Sequence, residues 1–140
     1  MAWLINSFTG HRICCNFPKI IMSTQEIANR LVELCRNGDF EAAQKELFAK
    51  DAVSIEPYAT PDFEKETKGL DAILKKGEKF ESMVEKYNEV KVSEPLISGN
   101  SFAVVLSMDL TMKGKGPMNM SELCLYQVKD GKIISESFTM

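Results

Sequence analysis

Three ionisable residues stand where the pattern around them is apolar. Lys76 falls three residues after Ile73 and four before Phe80, on the stripe that a helix turns toward a core. Glu122 alternates with Met118, Met120, Cys124, Tyr126 and Val128 on one face of a strand pattern, and Glu136 alternates with Ile134 and Phe138 on another. A charge in apolar surroundings has to be paired or solvated. The economical arrangement is a cavity between a helix and a sheet, with Lys76, Glu122 and Glu136 projecting into it and Tyr126 nearby. A carboxyl in an apolar wall has its pKa raised toward neutrality and can move a proton. The second carboxyl, Tyr126 or Lys76 would then stabilise developing negative charge. Glu122 and Glu136 are therefore the candidate catalytic pair. Lys76, Tyr126, Phe80, Met108, Cys124, Phe138 and Glu56 are the candidate ligand-binding residues, with Glu56, just before Pro57, fitting pocket or rim equally. Each intrusion also has a bland reading: Lys76 can run along its helix to water, and the glutamates can sit at wet strand ends. Three intrusions from separate elements favour a shared polar site, although such a cluster can also be purely structural. Asp109, between Ser107 and Thr111, is read on the opposite, outer face of its strand.

These residues need elements to hold them. Ser23 and Glu26 form the S-x-x-E of a capping box, and Ile27, Leu31 and Leu34 give the stripe of a first helix from Thr24 to Asn37. Asn37-Gly38 stops it, and Asp39 is expected to cap a second helix on the stripe Phe40, Ala43, Leu47. A short strand is expected over Asp51–Tyr58, with Val53 and Ile55 on one face and Ser54, Glu56 and Tyr58 on the other. Residues 61–68 read as a charged loop at the pocket mouth, and a third helix as running from Gly69 to about Tyr87. From Glu89 onward the period changes to two. Strands are expected over Glu89–Ser98, Ser101–Lys113, Pro117–Lys129 and Lys132–Thr139, joined by short turns into an antiparallel meander. Helices first and strands last is an α+β arrangement. The outer sheet face carries Val105, Leu123 and Leu125 in a polar surround, a surface suited to a second copy of the chain.

Composition narrows the function classes. With 140 residues, 44% hydrophobic and 26% charged, the chain has the size and balance of one globular domain. A net charge of −3 with interleaved signs lacks the basic stripe that nucleic acid requires. No run approaches the roughly 18 apolar residues of a membrane span. Cys14, Cys15, Cys35 and Cys124 have no zinc-ligand spacing; they read as reduced thiols of a cytoplasmic protein. His11 is the one histidine. Neither a cofactor nor a metal is expected. Residues 1–21 follow no helical or alternating pattern and read as an upstream extension, poorly ordered, with the domain spanning residues 22–140.

From Thr24 onward the chain resembles the SnoaL-like branch of the nuclear transport factor 2-like superfamily. The resemblance rests on Leu47-Phe48-Ala49-Lys50-Asp51-Ala52-Val53, on Lys68-Gly69-Leu70-Asp71-Ala72-Ile73 opening the third helix, and on Glu122-Leu123-Cys124-Leu125-Tyr126-Gln127-Val128-Lys129-Asp130-Gly131-Lys132-Ile133 followed by Ser135-Glu136-Ser137-Phe138. It implies a cone-shaped α+β barrel with an internal cavity, commonly dimeric. Its relatives include polyketide cyclases, ketosteroid isomerases, epoxide hydrolases and domains without a known reaction, so the fold alone does not select a function. The isomerases pair a carboxylate base with a tyrosine and a protonated acid; the cyclases use an aspartate, often near a histidine. From Met22 this chain has no histidine, and its two glutamates and Tyr126 match neither pattern residue for residue. Three functions stay open: acid–base chemistry on a small apolar carbonyl compound or epoxide, non-catalytic binding of a small apolar molecule whose acidic end meets Lys76, and self-association alone.

Overall fold

The computed structural model describes residues 20–140. Most of the extension read over residues 1–21, with His11, Cys14 and Cys15, lies outside the described residues. Helix α1 (Thr24–Arg36) begins as its capping box requires: the Ser23 hydroxyl accepts from the Glu26 N–H at 3.2 Å. It ends at Gly38, whose φ of 79° lets the Gly38 and Asp39 amides return to the Cys35 and Leu34 carbonyls. Asp39 stands at the start of α2 (Phe40–Leu47), but its side chain makes no capping bond. Its φ and ψ of −86° and 54° depart from the extended conformation that aims a cap at the first turn. Helix α3 (Leu70–Met83) starts from Gly69, held at φ 92° and ψ 142° with its N–H on the Ala52 carbonyl at 2.8 Å. A side chain disfavours that backbone region, so glycine is required there.

The strands are β1 (Phe48–Ile55), β2 (Glu66–Lys68), β3 (Val84–Val92), β4 (Leu96–Ser98), β5 (Ser101–Met112), β6 (Gly116–Lys129) and β7 (Lys132–Thr139). They form one sheet in the order β2-β1-β7-β6-β5-β3, with β4 also on β5. The path has free ends at β2 and β3, so the α+β sheet wraps the helices without closing. The meander is antiparallel from β3 and β5 through β7, but β1 joins β7 in parallel. Helix and strand periods both fit residues 84–87, and the strand wins: Val84 and Tyr87 pair with Met112 and Leu110 of β5. The expected strand over Glu89–Ser98 breaks at Ser93–Pro95, where proline has no N–H to give and the Ser93 hydroxyl instead accepts from the Val105 amide at 2.8 Å. Residues 61–68 are not all loop, because β2 pairs with β1 through Thr67 and Ser54.

The core lies between the sheet and helices. Its main cluster includes Ile27, Leu31, Leu47, Ile73, Phe102, Tyr126 and Ile133, and a second cluster is centred on Met108, Leu110 and Met112. On β5 and β6 the buried faces are those that alternation assigns. On β7 they are not. Between Gln127–Ser135 and Val128–Ile133, β7 advances two residues while β6 advances one. Ile134 is the extra residue of a bulge, and Ile133, fully buried, takes the core position. Removing the Ile133 side chain should therefore cost roughly 2–5 kcal/mol of stability, and Ile134→Ala less than half as much. Urea midpoints of the two variants check this; the reverse order would displace the bulge.

Candidate functional site

The cluster is assembled from four elements. Ile73, fully buried, anchors α3 to the core, and Lys76 lies one turn further along the same face. On β1, Ala52 and Ser54 are buried and Glu56 follows just beyond the strand. The parallel register sets Ser54 opposite Glu136 of β7, which in turn stands opposite Tyr126 of β6. Glu122 lies on the same face of β6, two residues before Cys124. The Lys76 ammonium donates to Ser54 Oγ and to Glu56 Oε1, each at 2.7 Å, and Ser54 Oγ donates to Glu136 Oε1 at 2.7 Å. Lys76 also lies 5.5 Å from the centre of the Phe138 ring, within reach of a cation–π attraction. These bonds leave out Glu122, which is half-buried. The space expected as a cavity is thus bridged by side chains bonded to one another. Two open surface grooves lie away from it. One, of about 450 Å³, is lined by Arg36, Asn37, Glu94 and Pro95 among others; the other, of about 390 Å³, by Glu89, Ser107, Asp109 and Asn119 among others.

Three carboxyls face one ammonium, and the electrostatics follow from that imbalance. Burial pushes the Glu122 pKa up to about 7, the negative charges of Glu56 and Glu136 add to the rise, and Lys76 works against it. Burial also raises Glu136, opposed by its bond from Ser54 and by Lys76. Desolvation raises the Tyr126 hydroxyl and the Cys124 thiol and takes Cys35 to about 12, so all three are neutral at physiological pH. The arrangement ties Glu136, whose pKa is raised by burial, to Lys76 through Ser54 and leaves Glu122 outside those bonds, able to exchange a proton near neutrality. Among the described residues no three His, Cys, Asp or Glu side chains form a metal-holding group.

The profile of the SnoaL-like domain family matches residues 22–140. The chain belongs to the SnoaL-like family. A Mesorhizobium loti protein whose description names both a SnoaL-like polyketide cyclase and a carbohydrate phosphatase is 31% identical, with a TM-score of 0.79 over 85% of this chain and 100% of its own. A nuclear transport factor 2-like protein of unknown function from Burkholderia pseudomallei is 12% identical, with a TM-score of 0.69 over 85% of this chain and 92% of its own. A protein with a ketosteroid isomerase-like fold from Catenulispora acidiphila, solved in complex with trimethylamine, is 17% identical, with a TM-score of 0.65 over 84% and 87%. The last two share the fold alone. No curated protein matches the sequence. No helix among the described residues is long and apolar enough to cross a membrane.

In this SnoaL-like domain, Lys76, Glu56, Glu122, Glu136, Cys124, Tyr126 and Phe138 come from separate elements into one neighbourhood. Tyr126 sits deeper than its partners, stacked on Phe102 at 4.8 Å and edge-on to Phe48. Phe80 and Met108 instead pack in the second apolar cluster with Val84, Leu110 and Met112. Asp109 is on the outer face, accepting from Asn88 Nδ2 at 3.2 Å. Sequence reasoning missed Ser54, the buried link between Lys76 and Glu136. Its signal was its place on the Glu56 face of β1 beside outward Val53 and Ile55, an inversion of the usual burial of β-branched residues.

The sign of the pH dependence follows from Glu122. Its folded pKa, about 7, lies above its ordinary 4.5. Between those values the native state binds more protons than the unfolded chain, so stability falls as pH rises and levels off above about 7, a loss on the order of 3 kcal/mol. Glu122→Gln should flatten that slope and be more stable than wild type at pH 8, as read from urea midpoints between pH 4.5 and 8.

Proposed function

We propose that this SnoaL-like domain binds a small apolar molecule beside Glu122 and moves a proton on it, as a cofactor-free isomerase, cyclase or hydrolase of a carbonyl compound or epoxide. The observation that carries this reading is the gathering of Glu56 and Glu136 on Lys76, the first directly and the second through Ser54, with Glu122 beside them and outside those bonds. On a carbonyl compound, the Glu122 carboxylate would take a proton from the carbon next to the carbonyl. The C–H electron pair would pass to the carbonyl oxygen as an enolate, and the proton would return to another position. An ammonium has three N–H donors, and Lys76 commits two. The third is available to the enolate oxygen, the kind of charge stabilisation such chemistry needs. The description of the 31%-identical relative names a polyketide cyclase beside a carbohydrate phosphatase, and the first of these supports this reaction class.

A panel of small apolar ketones in D2O, followed by proton NMR, and of epoxides, followed by diol formation, tests the reading. Turnover by the wild type should fall at least ~100-fold in Glu122→Gln with the circular dichroism unchanged. Equal rates would remove Glu122 from the mechanism. A second reading, binding without turnover, rests on the same third donor of Lys76, which would meet the acidic end of a small apolar molecule. A compound recovered unaltered by native mass spectrometry, with no exchange or hydrolysis, selects it.

Homodimerisation belongs to the same proposal. Val105, Leu123 and Leu125 are each more than 40% exposed on the outer sheet face, and Val105 pairs directly with Leu123. That patch gives a two-fold partner an apolar centre with a polar rim. Sedimentation velocity should give a dimer for the wild type and a monomer for Leu123→Glu and Leu125→Glu; a monomeric wild type removes the assignment. The buried free thiols Cys35 and Cys124 suit a reducing cytoplasm.

A further inference from the structure

We propose that Ser54 is the positioning residue of the cluster: its hydroxyl keeps Glu136 as the standing anion and so leaves Glu122 as the carboxyl that exchanges a proton. The inference rests on the reading of Glu122 given above and adds the residue that decides which of two neighbouring carboxyls does the work.

The direction of the bonds makes the case. An ammonium has donors and no lone pair, so Lys76 can only donate to Ser54 Oγ. The one hydroxyl proton of Ser54 is then free to point at Glu136 Oε1, 2.7 Å away. Both ends of this relay are fixed. Ser54 is fully buried and Glu136 is 4% exposed, and the parallel β1–β7 register holds them as direct cross-strand neighbours. A charge-assisted bond from an oriented hydroxyl favours the ionised acceptor.

The groups around Glu136 leave Ser54 this role. Lys76 approaches from α3 and reaches Glu136 through Ser54. From just beyond β1 comes Glu56, which is bonded to Lys76 and whose charge opposes a second anion. From β6 come Glu122, Cys124 and Tyr126, and from α1 Cys35. The two thiols and the phenol are neutral at physiological pH, and Glu122 is a like charge. Without the Ser54 hydroxyl, a desolvated Glu136 facing Glu56 would hold its proton, and the repulsion it exerts on Glu122 would vanish.

The test is a carboxyl carbon-13 NMR titration of the full chain, from pH 4 to 9, with Glu122 and Glu136 assigned through Gln variants. In the wild type, Glu136 should titrate below Glu122. In Ser54→Ala the order should invert, with Glu136 rising past Glu122 and Glu122 falling by half a pH unit or more. Ser54→Thr, which keeps a hydroxyl, should restore the wild-type order. Ser54→Cys, close in size but a weak donor, should behave like Ser54→Ala and serves in its place if the alanine variant does not fold. An unchanged order in the alanine or cysteine variant would reduce Ser54 to packing and overturn the proposal. Because the readout is proton occupancy, inversion supports the positioning role even if no compound is turned over. An unchanged order overturns that role even if Glu122→Gln abolishes turnover.

Discussion

A carboxylate at 4% exposure has given up nearly all its water, and the inner half of this molecule is arranged around the consequence. Moving an ionised carboxyl into a protein interior costs several kcal/mol even after relaxation. Glu136 recovers part of that through one hydrogen bond, from Ser54, and through the nearby ammonium of Lys76. The Ser54 bond requires β1 to lie parallel to β7 in one register. The ammonium requires α3 to cross the sheet at one height, which Gly69 and Ile73 set by tying the start of the helix to Ala52 and to the core. Strand pairing, helix placement and the protonation of the cluster are thus not independent variables.

The two faces of the sheet divide the work. The concave face mixes an apolar core with a small ionic network, and it leaves one carboxyl, Glu122, without a bond from that network. The second apolar cluster, with Met108, Leu110, Met112, Phe80 and Tyr87, flanks it with flexible and aromatic side chains. Methionine-rich walls adapt to differently shaped apolar groups, which suits a fold whose relatives differ in what they do. The convex face carries polar pairs such as Ser107–Ser121 beside exposed Val105, Leu123 and Leu125.

Much of this was legible in the sequence, because period-two and period-3.6 patterns are direct records of which side chains meet the core. The inward faces of β5 and β6, the stripe of α1 and the placement of Lys76, Glu122 and Glu136 follow from them. What escaped has definite causes. The β7 bulge shifts the alternation by one at Ile134, and a single extra residue leaves no mark on composition. The parallel partnership of β1 with β7 joins residues far apart in the chain, and local patterns carry no information about it. Tyr87 fits helix and strand alike, and its pairing with Leu110 decided the matter. Ser54 was placed on the correct face but passed over, because a small neutral hydroxyl beside Glu56 looks unremarkable until Lys76 and Glu136 are set on either side.

The parallel β1–β7 pairing also has a consequence for biosynthesis. Ser54 and Glu136 are 82 positions apart. As the chain leaves the ribosome, the three helices and the strands through β6 emerge before β7 does. Until then Lys76 and Glu56 can pair, but β1 and β6 both have an unmatched edge and the core lacks Ile133. Contacts of such long separation form slowly, and an intermediate with open strand edges is prone to stick to its neighbours. The step that completes the hydrophobic core is also the step that buries the Glu136 carboxyl, so β7 brings the ionic network into being and ends the interval in which the edges of β1 and β6 stand unmatched.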